Sequence, residues 1–336
     1  MAIKIENFGR FDGKSVEQAW LEGEDGIKVA LINWGVTVRD WRVPVAGTPR
    51  SIVLGFETFD PYPAHSPHFG SLAGRVANRI AGATFTLDGK TYAVSANEAG
   101  SCLHGGTEGL GRQVWEMEPD SATNSVKFSH FSPDGHMGFP GNVTFEAIYR
   151  LEGRTLSLEL SAMPDRPTPV SLVQHQYFNL GTTDDVLGHK VQIDASAYSA
   201  VDDNLLPTGA LLPVSGTQYD LREARTLRDE NGEAIDYDIN LALETGRDLD
   251  RPVAKVTSPE NDLTLKLFTD RPGVQLYNGV WTDCPVPGLG GKRYGKHSGL
   301  CLEDQMFPGA LAHAHFPSIV VTPDRPYRHF SAFELE

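Results

Sequence analysis

Cysteine is scarce in this chain of 336 residues, which holds only Cys102, Cys284 and Cys301. An odd number with no close spacing makes neither a disulfide framework nor a zinc knuckle. The three read as reduced thiols of a cytoplasmic protein. Basic charge is scarce too: 29 Lys and Arg stand against 44 Asp and Glu, a formal net charge of −15. Nucleic acid and anionic membrane are therefore not expected as partners, since both call for a basic footprint. Long apolar runs are missing. No segment approaches the ~18 residues of a membrane span, and Met1-Ala2-Ile3-Lys4-Ile5-Glu6-Asn7 has no apolar leader core. Neither secretion nor membrane insertion is expected. G-x-S-x-G elbow, P-loop and dinucleotide fingerprint are all absent. Helical signals are few, with short turns of helix expected at residues 222–231 and near 58–62. Without strand–helix alternation, a parallel α/β fold is not expected.

Period-two alternation is present from end to end. Phe85 and Leu87 alternate with Thr84 and Thr86. Asp88-Gly89 then makes a two-residue turn, the strongest short hairpin signal, and Tyr92 and Val94 return. Val143, Phe145, Ala147, Tyr149 and Leu151 line one strand face, Glu152-Gly153 turns, and Leu156, Leu158 and Leu160 come back. Leu263, Leu265 and Leu267 repeat the pattern late in the chain. Each is a half-buried antiparallel strand. The 34 Gly and 22 Pro supply the tight turns such a fold needs. No repeat or linker divides the chain, so the expectation is one all-β domain over 1–336, a large antiparallel β-sandwich with site loops at its turns.

Polar residues stand out at four places. Gly74-Arg75-Val76-Ala77-Asn78-Arg79-Ile80 precedes the Asp88-Gly89 hairpin, and Leu103-His104-Gly105-Gly106 follows it. Glycines beside polar residues mark backbone that a ligand can approach closely. Read alone, His104 is either a turn histidine satisfied by backbone or a site residue. In Gln174-His175-Gln176-Tyr177-Phe178-Asn179, strand geometry places His175, Tyr177 and Asn179 on one face. Glu303 follows the apolar Leu300-Cys301-Leu302 and reads as a carboxylate where a strand meets a cleft; Asp304 points the other way. Gln275 and Tyr277 share a polar face, and Asp238 sits in Asp236-Tyr237-Asp238. His313-Ala314-His315 and the His65, His68 pair lack a third ligand at a recognisable spacing, so no catalytic metal is expected.

These segments together resemble the aldose 1-epimerase (galactose mutarotase) family. The match lies in Gly74–Ile80, the hairpin with Leu87-Asp88-Gly89-Lys90-Thr91-Tyr92, Leu103–Gly106, His175–Leu180, and Leu302-Glu303-Asp304-Gln305 with Phe307-Pro308. The resemblance implies a galactose mutarotase-like β-sandwich and cofactor-free interconversion of the α and β anomers of a free aldose such as galactose or glucose. Carried over by position, Glu303 would be the general base, His175 the general acid, and His104 an assistant at the anomeric end. Asn78, Arg79, Asp238 and Gln275 would hold hydroxyls or orient the pair. A carboxylate beside His175 is expected to raise the pKa of the ring. The chain departs from the family at Asp238-Ile239-Asn240-Leu241, where Asp-His-Asn-Phe is usual, and at Asp304, where the family has Thr. Three other readings follow from the residues: a hexose 6-phosphate epimerase, which needs basic residues at the pocket rim; a non-catalytic sugar-binding module; and a metal enzyme using His313 and His315.

Overall fold

A computed structural model describes residues 3–66 and 68–336. Three large antiparallel sheets dominate it. A five-stranded meander, Lys4–Phe11, Lys14–Glu22, Lys28–Ile32, Thr37–Val45 and Thr48–Ser51, opens the chain. A nine-stranded sheet runs in the order Glu116–Asp120, Ser125–Ser132, Val143–Glu152, Thr155–Pro164, Tyr327–Leu335, Thr264–Thr269, Ala254–Thr257, Lys190–Ile193, Arg225–Thr226. A second five-stranded sheet runs Pro207–Pro213, Ala195–Val201, Asp238–Leu243, Gly273–Tyr277, Cys301–Gln305. One buried apolar cluster draws on all three, from Ala19 and Val38 through Phe145 and Leu160 to Leu276, Leu302 and Leu335. The alternation read from sequence is the alternation of burial: Val143–Glu152 is buried at every odd-numbered residue from Val143 to Leu151.

The Asp88-Gly89 turn forms as expected. Leu87 faces Lys90, and both turn residues have positive φ, 50° and 76°, the geometry of a type I′ hairpin. The later hairpin turns one residue further on than expected: Glu152 pairs with Thr155, leaving Gly153-Arg154 as the loop. Among the described residues the one α-helix is Pro61–His65, close to the expected turn at 58–62. The helix expected at 222–231 does not form. Arg225–Thr226 instead pairs with Lys190–Ile193 at the sheet edge, and the Asp229 carboxylate accepts from the Asn231 and Glu233 amides. An aspartate that bonds its own downstream backbone competes with helix. No described helix is long and apolar enough to cross a membrane.

Candidate active site

The second five-stranded sheet makes the floor of a cleft. Asn240, Gln275 and Glu303 lie opposite one another across three adjacent strands, and Asp238, Tyr277 and Cys301 form the next row. Residues paired in register, or two apart on one strand, share a face. The polar side chains therefore crowd one face while Ile239, Leu241, Val274, Leu276 and Leu302 enter the core on the other. A cleft of about 260 Å³ over this face is lined by His68, Asn78, Arg79, Glu98, Leu103, His104, His175, Tyr177, Asp238, Gln275, Tyr277, Trp281 and Glu303. All seven candidates from the sequence meet here.

The first motif is brought in by a short ladder rather than by the hairpin alone. Leu103 pairs with Arg79 and Cys102 with Ile80, so the hairpin is looped out between two paired segments. Asn78 and His104 both take left-handed backbone, φ 60° and 51°. The Asn78 amide donates to His104 Nδ1 at 3.2 Å, and the His104 amide donates to the Asn78 carbonyl at 3.1 Å. Gly105, at φ 88°, lies so close to the first motif that a Cβ would fall 1.9 Å from the Gly74 carbonyl oxygen. The two arginines of that motif divide the work. Arg75 is buried and spends its guanidinium on Ser132 and the carbonyls of Ser132, Pro133, Pro140 and Gly141. Arg79 enters the cleft, where Glu98 grips it through two oxygens at 2.6 and 3.1 Å and Asp238 stands 3.8 Å away.

Hydrogen bonds join the candidates. Gln275 donates to Asp238 at 2.6 Å and accepts from Asn78 at 3.3 Å and from Gln305 at 3.2 Å. His175 Nε2 lies 3.5 Å from Glu303 Oε1. The rings of His68, His104 and His175 pack together with centroids 4.7–5.6 Å apart. His175 and Tyr177 face the cleft as expected. Asn179 does not: it donates to the Thr183 and Ser298 carbonyls beyond it. Only Val173–Gln174 is strand there, so the strict alternation lapses before Asn179.

Burial sets the electrostatics. His175 is 4% exposed and Glu303 3%. Burial, with the anions Asp238 and Asp304 adding and Arg79 opposing, pushes Glu303 well above the usual carboxylate range. Burial and the neighbouring His68 lower His175 to about 3. This reverses the direction expected for His175, because desolvation of the buried ring outweighs the nearby carboxyl. Burial, then His68, His175 and Arg79, also hold His104 well below its ordinary value. Burial thus favours a neutral carboxyl beside a neutral ring over a carboxylate beside an imidazolium.

His104, His175 and Glu303 offer donor atoms within 4.8 Å of one another, a spacing a metal could bridge. The donor chemistry is unsuited. With Nδ1 of His104 accepting a backbone N–H, its Nε2 carries the hydrogen and donates. At the remote pair, His313 Nε2 and His315 Nε2 contact the carbonyls of Pro207 and Gly209.

Sequence reading missed Glu98 and Trp281. Glu98 sits in a turn of its own, with no spacing to tie it to Arg79. Trp281 is a lone aromatic, 72% exposed at the rim, and its exposure is the signal, visible only in three dimensions.

The sequence model of the family described as "Aldose 1-epimerase" matches residues 18–334. Galactose mutarotase of Bos taurus is 38% identical over 326 residues, 96% of this chain and 94% of its own. Aldose 1-epimerase of Escherichia coli (strain K12) is 33% identical over 96% of this chain and 94% of its own. Among solved structures, a GalM/aldose epimerase homologue from C. elegans superposes with a TM-score of 0.90 at 29% identity, covering 96% of this chain and 99% of its own.

Proposed function

This chain belongs to the aldose 1-epimerase family and is an isomerase with a monosaccharide substrate, and from that premise we propose that Glu303 and His175 perform its proton transfers. The observation that carries the proposal is the facing pair, 3.5 Å apart and buried.

Mutarotation removes a proton from the anomeric hydroxyl and gives one to the ring oxygen. The opening step proceeds from the form in which the pair's proton has crossed from the Glu303 carboxyl to His175 Nε2, 3.5 Å away: the Glu303 carboxylate takes the O1 proton, His175 gives its Nε2 proton to O5, and the C1–O5 bond breaks. The open aldehyde then sits beside a protonated Glu303 and a neutral His175, the form that burial favours. After rotation about C1–C2, Glu303 returns its proton to O1 as His175 takes back that of O5, and closure on the other carbonyl face gives the other anomer. The proton count returns to its start, so no external acid is consumed. General acid–base help of this kind is worth ~10²–10⁴-fold, and holding the sugar adds to it.

The remaining residues hold the substrate. Arg79 and Asn78 donate to hydroxyl or ring oxygens, Asp238 accepts, and Gln275 does both. His104, fixed as an Nε2 donor, polarises the anomeric oxygen. Trp281 offers an apolar surface at the rim to the C–H side of a pyranose. Acidic groups outnumber Arg79 in the lining, which favours a free aldose over a phosphorylated one. Polarimetry of freshly dissolved α-D-galactose, α-D-glucose and other α-aldoses tests the function. Acceleration far above the spontaneous rate is expected; sugar binding without acceleration would instead support the non-catalytic module.

A further inference from the structure

The strand Cys301–Gln305 touches His175 at both ring nitrogens. Glu303 Oε1 lies 3.5 Å from Nε2, and Cys301 Sγ lies 3.4 Å from Nδ1. Cys301 and Glu303 are two apart on one strand, so their side chains share the face that His175 meets. Resting on the assignment of proton transfer to Glu303 and His175, we propose that Cys301 is a positioning residue whose sulfur accepts the Nδ1–H of His175, so that Nε2 alone exchanges protons.

The argument begins with the cycle. The ring alternates between imidazole and imidazolium at Nε2, so the proton on Nδ1 must stay in place throughout. The hydrogen bond made by one ring nitrogen decides which tautomer the other presents. Nδ1 has two acceptors in reach, the Cys301 sulfur and the ring's own backbone carbonyl. That carbonyl already accepts the Gly70 amide at 2.9 Å. The sulfur is buried with no exposure, and burial, reinforced by Glu303 and Asp238, keeps it an undissociated thiol. A carboxylate in that place would fix the tautomer but also make the ring more basic. A neutral sulfur fixes it while leaving the imidazolium a strong acid toward O5. Tyr177 and His68 lie nearly parallel to the ring, at interplanar angles of 16° and 22°, and restrict its rotation.

Nitrogen-15 NMR of the full chain reads the tautomer without turnover. In the unsubstituted protein His175 should show a protonated Nδ1 and an unprotonated Nε2. Cys301→Ala should give averaged or exchanged nitrogen shifts and a kcat lower by roughly 10–100-fold, by analogy with outer groups that orient metal-bound histidines, with KM little changed. Cys301→Ser, which restores an acceptor, should recover both the shifts and most of kcat. A protonated Nε2 in the unsubstituted protein, or unaltered shifts and kcat in Cys301→Ala, would overturn the proposal. His175→Asn assayed alongside keeps the two readings apart: full activity there removes the acid–base assignment, whatever the NMR shows.

Discussion

Glu303 is a carboxyl placed where its charge is least stable, and that placement has a measurable cost. Its folded pKa lies above the unfolded value. Above the unfolded pKa the unfolded chain loses this proton while the folded chain retains it, so stability declines as pH rises toward the folded pKa. Glu303→Gln removes that decline. Thermal denaturation should show the variant matching the parent near pH 4 and exceeding it at pH 8, by about 2 °C; a lower melting temperature at pH 8 would contradict the assigned shift. The same reasoning predicts a pH–rate profile. The one-proton pair is the active form, so activity falls on the alkaline side as that proton leaves. Asp238 raises the Glu303 pKa, so Asp238→Asn should move the alkaline limb of kcat/KM to lower pH. The positions of Glu303, His175 and His104 were legible in the sequence because short polar motifs interrupt apolar strands. Their protonation was not, because proximity along the chain says nothing of how far a cleft excludes water. Glu98 and Cys301 were hidden for a related reason: each meets its partner, Arg79 or His175, only through the fold.

At the level of the strand, Cys301–Gln305 presents different chemistry on its two faces. Toward the cleft it offers Cys301, Glu303 and Gln305. Toward the interior it offers Leu302 and Asp304, and Asp304 is the exception in an apolar layer. Thr269 donates to its carboxylate at 2.6 Å and His329 Nε2 approaches at 2.6 Å, with both members of the Asp304–His329 pair fully buried. Burial alone would raise the Asp304 pKa, but His329, Thr269 and Ser331 outweigh it and hold it below the ordinary value. Removing one partner of a buried pair strands the other, at a cost of about 3–5 kcal/mol. His329→Ala should lose stability on that scale in urea unfolding at pH 7; a loss under about 1 kcal/mol would show that Asp304 is otherwise satisfied. The alternation of this strand was readable, including the opposed directions of Glu303 and Asp304. Its register against Gln275, and the arrival of His329 behind it, depend on long-range pairings that no local pattern encodes.

Across the whole molecule, the fold gathers residues from the first third, the middle and the last tenth of the chain over one sheet face. The sandwich was legible because antiparallel strands with one wet face write their period into the sequence. The failed helix at 222–231 shows the limit, since an Asp turn and an edge pairing decided that segment. The overall charge of −15 and a lining with Arg79 as its single Arg or Lys among the described residues act together on substrate choice. Hexose 6-phosphate should therefore react with a kcat/KM at least tenfold below that of the free hexose, a penalty of about 1.4 kcal/mol; equal rates would point to the phosphosugar reading. The central claim is that Glu303 and His175, exchanging protons with O1 and O5 of the sugar, turn over the anomers. Polarimetry of α-D-galactose with Glu303→Gln, beside a calorimetric check that the variant still binds sugar, tests it most directly. The account predicts retained binding with the enzymatic rate lowered at least ~10²-fold; a variant that binds and keeps its full rate would contradict it.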